Sequence, residues 1–344
     1  MPRRKHPDQF DLFARPPAAT DSAMAGDGGR MPAAVPAAEP RPVRSVAQTP
    51  ADVLVDLLTL HLYGEPPAEP GLLALIEECG KRRERAAVPL LLRTCRRFAG
   101  HDRQAPAGEL RAALGALAEI GAAEAGPELV ELLERDAFGV SGTVATLSCL
   151  AGLRFRRAVG LIRSHAVHPD PAVRQAVCLL AGALARPEDL DAVLPLAADA
   201  DRQVAKTACL TLGRLGHRPV KAELEALLVR ATPLDLPSVV EALIRVADDD
   251  TAVVLGRVAE RSDEAGRRAV VDALGEIDGP GAATWLVRLA RDPKASVRLG
   301  VVSALARREP EPATARTLGD LAGDGDPEVR AAAQEALKAF DTDW

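Results

Sequence analysis

The sequence predicts an all-α fold, a right-handed α-solenoid of antiparallel helix pairs, and three observations support this prediction. Apolar residues return every 31 residues or so along most of the chain. Each apolar segment has the spacing of a helix, and no segment alternates apolar and polar residues as a strand would. Only 3% of the 344 residues are aromatic, which suits a core of Ala, Leu and Val between closely packed helices.

The N-terminal segment, residues 1–50, differs from the rest in composition. Between residues 14 and 50, 20 of 37 positions are Ala, Pro or Gly. Such a stretch buries too little apolar surface to offset the entropy of ordering it, so we expect a disordered tail. No apolar segment follows the basic start, and no apolar run reaches the length of a membrane span. The sequence therefore predicts neither a secretory signal nor a transmembrane helix.

Residues 51–105 contain short amphipathic patterns that Gly and Pro interrupt, and they predict an irregular helical cap. The solenoid proper is predicted over residues 106–344, where three apolar columns recur. Relative to a central column of eight residues, a second column lies three positions earlier and runs from Leu114 to Val302. A third column lies three positions later and runs from Ile120 to Phe340, with a break at Arg308. Because these offsets place the columns on one helix face, that face must pack on the next repeat. The central column contains Leu117, Leu150, Ala181, Leu212, Leu243, Leu274, Leu305 and Leu337.

A second apolar segment follows about 15 residues later in each repeat, and Gly or Pro separates the two segments. Each repeat is therefore predicted to contain two short antiparallel helices. The first of them often begins with one motif: residues 170–174 read Asp-Pro-Ala-Val-Arg and residues 326–330 read Asp-Pro-Glu-Val-Arg. Asp suits the N-cap and Pro the first helical position. The arginine is expected to pair with an aspartate of its own or of a neighbouring repeat.

The pattern Asp-Pro-x-Val-Arg-x-x-Ala-x-x-x-Leu, at a period near 31, resembles HEAT repeats of the short type found in phycobilisome bilin lyases. The resemblance covers roughly residues 106–340 and implies a scaffold that can host many partners. The repeats at 139–168 and 232–262 depart from the pattern, since Thr143 and Leu236 replace the arginine. Their leucine columns still predict stacking, but not the contact between Asp and Arg.

A short motif lies in the predicted tail, at Gln9-Phe10-Asp11-Leu12-Phe13. It resembles the peptide by which bacterial replication and repair proteins bind the DNA polymerase sliding clamp. The resemblance implies that Gln9 is a hydrogen-bonded anchor and that Leu12 and Phe13 fill an apolar pocket. Asp11 matches a permitted acidic position, whereas Phe10 replaces the usual leucine. The alternatives are a peptide that docks on another partner or on the solenoid itself, and coincidence.

A second candidate partner-binding site lies on the second helices of the last repeats. Arg257 and Arg288 are 31 residues apart, and Arg261 and Arg291 follow one helical turn later. In HEAT solenoids the second helices line the concave face, so these arginines form a candidate strip for an acidic partner. The alternative is an ordinary solvated surface. Trp285 is interpreted as a core residue or, if exposed beside the arginines, as a binding hot spot.

Metal and thiol chemistry are not predicted. The five cysteines include no Cys-x-x-Cys pair, which is typical of a reducing cytoplasm. Cys178 and Cys209 lie in an apolar column and are predicted to be core residues. His165 and His168 lie in a predicted turn without enough further ligands for zinc. No nucleotide-binding or hydrolase motif is present, so the sequence predicts no catalytic residue and no cofactor.

Charge and composition separate the candidate functions. The whole chain carries a net charge of −6, and residues 51–344 carry 36 basic against 44 acidic residues. An acidic body makes direct nucleic-acid binding, as in HEAT-like DNA repair glycosylases, a weaker alternative. A bilin-lyase-like enzyme is the other alternative, although residues 51–344 contain only seven aromatic residues to surround a tetrapyrrole. The predicted function is a non-catalytic cytoplasmic adaptor that binds a protein on the concave solenoid face, and the sliding clamp through residues 9–13.

Overall fold

The computed structural model describes residues 46–68, 70–102, 107–309 and 311–341. For residues 339–341 it describes the backbone only. Contacts divide the chain into residues 1–43 and 44–344. All described residues belong to the second unit.

The described part is all-helical and contains no strand. Seventeen α-helices follow one another, joined by short turns and 3₁₀ helices. In chain order they are α1 (Ala51–Tyr63), α2 (Leu72–Lys81), α3 (Val88–Asp102), α4 (Gly108–Ile120), α5 (Gly126–Glu134), α6 (Val140–Gly152), α7 (Gly160–His165), α8 (Pro171–Leu184), α9 (Arg202–Arg214), α10 (Lys221–Arg230), α11 (Leu236–Ile244), α12 (Asp249–Ala259), α13 (Glu264–Glu276), α14 (Pro280–Leu289), α15 (Ala295–Ala306), α16 (Pro312–Leu321) and α17 (Pro327–Asp341).

The helices form two stacked layers, as in a repeat solenoid. The first helices of successive repeats pack on one another in the order α2, α4, α6, α8, α9, α11, α13, α15 and α17. The second helices α10, α12, α14 and α16 form the other layer along the C-terminal half, and each also packs on the first helix that follows it. Each repeat therefore contacts chiefly its neighbours.

The predicted apolar columns form most of the core between the layers, but in the later column Leu215 is exposed and Leu153 is only partly buried. Seven members of the central column, from Leu117 to Leu305, are fully buried. The eighth, Leu337 on α17, is only partly buried. The prediction of an all-helical stacked repeat is confirmed, because each first helix packs on the first helix of the next repeat and the central-column side chains are buried there.

Arginines at the start of the first helices connect adjacent repeats. Three of them each donate two hydrogen bonds to a carboxylate 25 or 26 residues later and a third to a carbonyl of the loop before their own helix. The carboxylate in turn accepts a backbone N–H at the start of the next first helix. The predicted pairing of arginine with aspartate is confirmed at three positions, whereas Arg330 of the second motif donates to the carbonyls of Asp324 and Gly325. The pairs are Arg174–Asp199, Arg267–Asp292 and Arg298–Asp324, with closest distances of 2.7, 2.6 and 2.8 Å.

The two repeats that depart from the sequence pattern still stack, and other contacts replace the missing arginine. In one, Asp235 before α11 pairs with Lys206 of α9. In the other, the buried Asp102 at the end of α3 accepts a hydrogen bond of 2.7 Å from the backbone N–H of Gly142 on α6. A side chain at position 142 would collide with that carboxylate, so glycine is required there.

One repeat differs from the prediction of two α-helices. Between α8 and α9 the second helix is replaced by two 3₁₀ helices, Pro187–Ala192 and Leu194–Ala198. Proline lacks a backbone N–H, so Pro187 and Pro195 can donate no helical hydrogen bond and favour the starts of helical segments. The apolar side chains Leu190, Val193 and Leu196 are nonetheless buried.

Candidate functional site

The second helices α12 and α14 carry a tryptophan flanked by charged side chains. Trp285 is partly buried and packs against the core. Its ring lies against the backbone of α12 at Gly256, where any Cβ would overlap the ring. The guanidinium of Arg288 lies over the ring, 4.8 Å from its centroid. Arg288 also pairs with Glu260 at 2.6 Å, so a cation–π contact and an ion pair hold this arginine in one orientation.

The structure brings only part of the predicted arginine strip together. Trp285, Arg288 and Arg291 line one open cavity of about 310 Å³, together with Glu260. Arg261 lines a different cavity of about 300 Å³ and donates a hydrogen bond to the carbonyl of Val229.

The remaining member of the strip, Arg257, is exposed on α12 and lines neither cavity. The predicted strip therefore consists of two neighbouring sites and one separate side chain. We call Trp285, Arg288 and Arg291 the tryptophan site.

The charges at the tryptophan site favour an anionic partner. Asp292 also lines the cavity, but it is buried and paired with Arg267, so its charge is already compensated. The pair between Arg288 and Glu260 is about half exposed. Arg291 lies at the surface and forms no ion pair with any described residue. The cavity therefore presents one excess positive charge beside an aromatic ring.

A second surface was not predicted from the sequence. The first helices α4 and α6 form an apolar groove of about 690 Å³. Small and apolar side chains such as Leu114, Ala118, Val144 and Ala145 line it, and Arg111 stands at its side. The sequence signal was present in α6, whose 13 residues include no charged side chain. On α6 the groove is lined by half-buried or exposed side chains such as Val140, Val144 and Ser148, and an uncharged helix face is unusual for a solvated surface.

All five cysteines are buried, so they are poor nucleophiles. Burial raises the pKa of the Cys178 thiol to about 12 and that of Cys209 to about 11. The prediction that these two are core residues is confirmed.

Both histidines contact the backbone, although only His168 lies in the predicted turn and His165 is the last residue of α7. Nδ1 of His165 lies 3.1 Å from the carbonyl of Leu161, and Nδ1 of His168 accepts the N–H of Asp170. Burial lowers the pKa of His165. Among the residues that the structure describes, no group of three His, Cys, Asp or Glu side chains is placed to hold a metal ion.

The predicted clamp motif, Gln9 to Phe13, lies outside the described residues.

Within the described ranges, no helix combines the length and apolar character that crossing a bilayer requires.

The comparisons with known proteins agree with this architecture. The sequence profile described as HEAT repeats matches residues 160–244 and 251–338, about half of the chain. The chain belongs to the HEAT repeat family. No curated protein matches it.

Solved structures of similar fold include an engineered protein, with 16% sequence identity, a TM-score of 0.50, and coverage of 86% of this chain and 92% of that one. The complex of CpcE and CpcF of phycocyanin lyase from Nostoc sp. PCC7120 is 19% identical, with a TM-score of 0.33 and coverage of 63% and 80%. Human deoxyhypusine hydroxylase is 16% identical, with a TM-score of 0.31 and coverage of 85% and 97%. At these identities the likeness concerns the fold.

Proposed function

We propose that this HEAT repeat protein is a non-catalytic scaffold that binds an acidic segment of a partner protein at the tryptophan site. The observation that carries the proposal is the stacking of Arg288 on the half-buried ring of Trp285 beside the exposed Arg291. Tryptophan and arginine are the side chains most often found as hot spots of protein interfaces.

The ring of the site is packed in place before binding, which favours affinity. Trp285 lies against the backbone at Gly256, and Arg288 lies over the ring and beside Glu260. A partner therefore loses little side-chain entropy of the scaffold when it binds. A carboxylate of the partner would contact Arg291 directly and compete with Glu260 for Arg288.

Binding of a fluorescent acidic peptide, containing glutamates and an aromatic residue, tests this proposal with the full chain. We expect the affinity to fall as salt is added and to fall at least tenfold in Arg288→Glu with Arg291→Glu, because two attractive charges become repulsive. Arg111→Glu, a reversal of an exposed arginine on α4, is the matched control. Arg163, a second exposed arginine on α7, is reversed together with Arg111 so that the control and the site variant change the net charge equally. Equal losses in the two double variants would show that only net charge matters, and the proposed site would be wrong.

We further propose that the motif at residues 9–13 links this scaffold to the bacterial sliding clamp. The proposal depends on the sequence resemblance alone. The full chain should bind purified clamp in a polarisation assay, and Leu12→Ala with Phe13→Ala should abolish binding. Asp21→Ala, outside the motif, should have no effect. If the unmodified chain does not bind the clamp at high micromolar concentration, this link is excluded. That result would have no bearing on the tryptophan site.

A further inference from the structure

A polar cavity of about 550 Å³ lies where the repeat is irregular. Its walls are the turn after Leu194–Ala198, the first helix α9, the second helix α10 and the start of α11. The 3₁₀ segment that replaces a second helix contributes only its last residues, Ala197 and Ala198, to this wall. On α9 the lining positions Ala205 and Cys209 are small. Short walls and small side chains together leave a space of the size that small ligands occupy.

Six charged side chains line the cavity, and half of them are already compensated by one another or by neighbours. Asp199 is paired with Arg174, and Lys206 is paired with Asp235. The lining charges are Asp199, Arg202, Lys206, Glu223, Arg230 and Asp235. The other three lining charges, one carboxylate and two guanidinium groups, belong to none of these pairs.

The carboxylate that remains belongs to Glu223. Its Oε2 is buried and accepts no hydrogen bond from any residue that the structure describes. The next glutamate on the same helix, Glu225, accepts a hydrogen bond of 2.9 Å from Thr251 and lies 3.6 Å from Lys221. A buried carboxylate oxygen without a donor is destabilising, so a ligand that donates a charged hydrogen bond to it gains that energy.

The guanidinium groups that remain belong to Arg202 and Arg230, and neither forms an ion pair with a described residue. Both side chains are exposed at the cavity, and Nε of Arg230 donates only to the carbonyl of Ala226 in its own helix. Charges of Glu223 and Arg230 both act on Cys209 in the wall. Burial is the main cause of the raised pKa of that thiol, Glu223 raises it further, and Arg230 opposes the rise. Opposite charges therefore face the same space.

We propose that this cavity binds a small zwitterion of the amino-acid type, with its ammonium on Glu223 and its carboxylate on Arg230 and Arg202. Glu223 and Arg230 are seven residues apart on α10, which corresponds to about 10 Å along the axis. The long arginine side chain shortens this span. A ligand whose two charged groups are separated by several bonds therefore fits better than one in which they share a carbon atom.

Thermal unfolding of the full chain tests the proposal with a graded series: glycine, β-alanine, γ-aminobutyrate, δ-aminovalerate and the standard amino acids. We expect at least one longer zwitterion to raise the melting temperature by about 4 °C at about one hundred times its Kd. Glycine should bind at least tenfold more weakly in calorimetric titrations. Butyrate and n-butylamine, each with one charge, should also bind at least tenfold more weakly than γ-aminobutyrate.

Variants of α10 locate the site. Glu223→Gln should abolish the ligand-dependent shift, because a neutral amide cannot pair with the ligand's ammonium group as the carboxylate does. Arg230→Gln should weaken binding of the zwitterion but leave n-butylamine unaffected. Glu225→Gln is the matched control and should keep the full shift. The proposal is overturned if no compound in the series shifts unfolding, or if the shift survives in Glu223→Gln.

This inference is independent of the proposed scaffold function. The cavity and the tryptophan site share no residue. Glu223→Gln should therefore leave acidic-peptide binding unchanged, and reversal of Arg288 and Arg291 should leave the zwitterion shift unchanged. Either proposal can fail while the other holds.

Discussion

The ion pair between Arg298 and Asp324 offers a direct test of how adjacent repeats are held together. Nε and Nη2 of Arg298 each lie 2.8 Å from an oxygen of Asp324. Nη1 donates to the carbonyl of Asp292, and Oδ1 of Asp324 accepts the N–H of Asp326. The arginine thus connects the loops before α15 and α17. Replacing it by alanine removes a fork that no neighbouring side chain replaces.

The magnitude follows from burial. The side chains of the pair are 16% and 10% exposed. Exposed pairs couple by about 0.2–1 kcal/mol, whereas removing one partner of a buried pair costs about 3–5 kcal/mol. For this nearly buried fork we expect Arg298→Ala to cost about 2–3 kcal/mol and a coupling energy with Asp324→Asn of about 1.5–2 kcal/mol. Asn keeps an acceptor for the Asp326 N–H, so a double-mutant cycle of Arg298→Ala and Asp324→Asn isolates the energy of the ion pair.

Equilibrium unfolding in urea, followed by circular dichroism, measures the four corners of this double-mutant cycle. The pair Arg288–Glu260, whose side chains are 64% and 46% exposed, is the control. Its coupling energy should stay below about 1 kcal/mol. If the two pairs couple equally, burial does not set the strength of the inter-repeat contact, and the reasoning is refuted.

Two other predictions concern stability. Hydrogen bonds from the paired arginines are the first cause that lowers the pKa of Asp199 and of Asp324 below the ordinary value near 3.8. The stabilisation by these two ion pairs is therefore complete above about pH 5 and is lost as the pH falls through the depressed pKa of the folded state. The loss of stability with falling pH should be less steep in the variant with both Asp199→Asn and Asp324→Asn. An unchanged dependence of stability on acid pH would contradict this. Gly256→Ala should lower stability by about 1–3 kcal/mol through overpacking against Trp285, and Trp285→Leu should relieve that loss; a neutral Gly256→Ala in denaturant titrations would contradict the packing described.

Much of the fold follows from the sequence, because the repeat constrains each helix in the same way. The period of the central column alone identifies a fully buried residue in seven of eight first helices. The period does not explain Arg308, which breaks the later column. Its guanidinium donates to the carbonyls of Ile277 and Gly279, 2.5 and 3.0 Å away. An arginine at a column position is satisfied when it caps the end of the preceding first helix, a contact that the sequence pattern does not reveal.

The candidate sites were less predictable than the fold. They depend on contacts between particular side chains, which the repeat period does not determine. The sequence places Arg257 and Arg288 at equivalent positions, yet only Arg288 has an aromatic ring beside it. Gly256 could have indicated the difference, since it lies in the helix before Trp285 and a glycine inside a helix usually permits close approach. The uncompensated Glu223 was not predictable, because no spacing rule tells which carboxylate lacks a donor.

Departures from the repeat coincide with the features that are not explained by stacking. One of the two repeats without the arginine motif, at α6, carries the charge-free helix of the apolar groove. The repeat with 3₁₀ helices in place of its second helix borders the polar cavity. A regular repeat needs only its columns to fold, so a position that breaks local rules without aiding packing is under another constraint. In this chain that argument favours α6 and the 187–198 segment, more than the regular repeats, as places to seek ligands and partners.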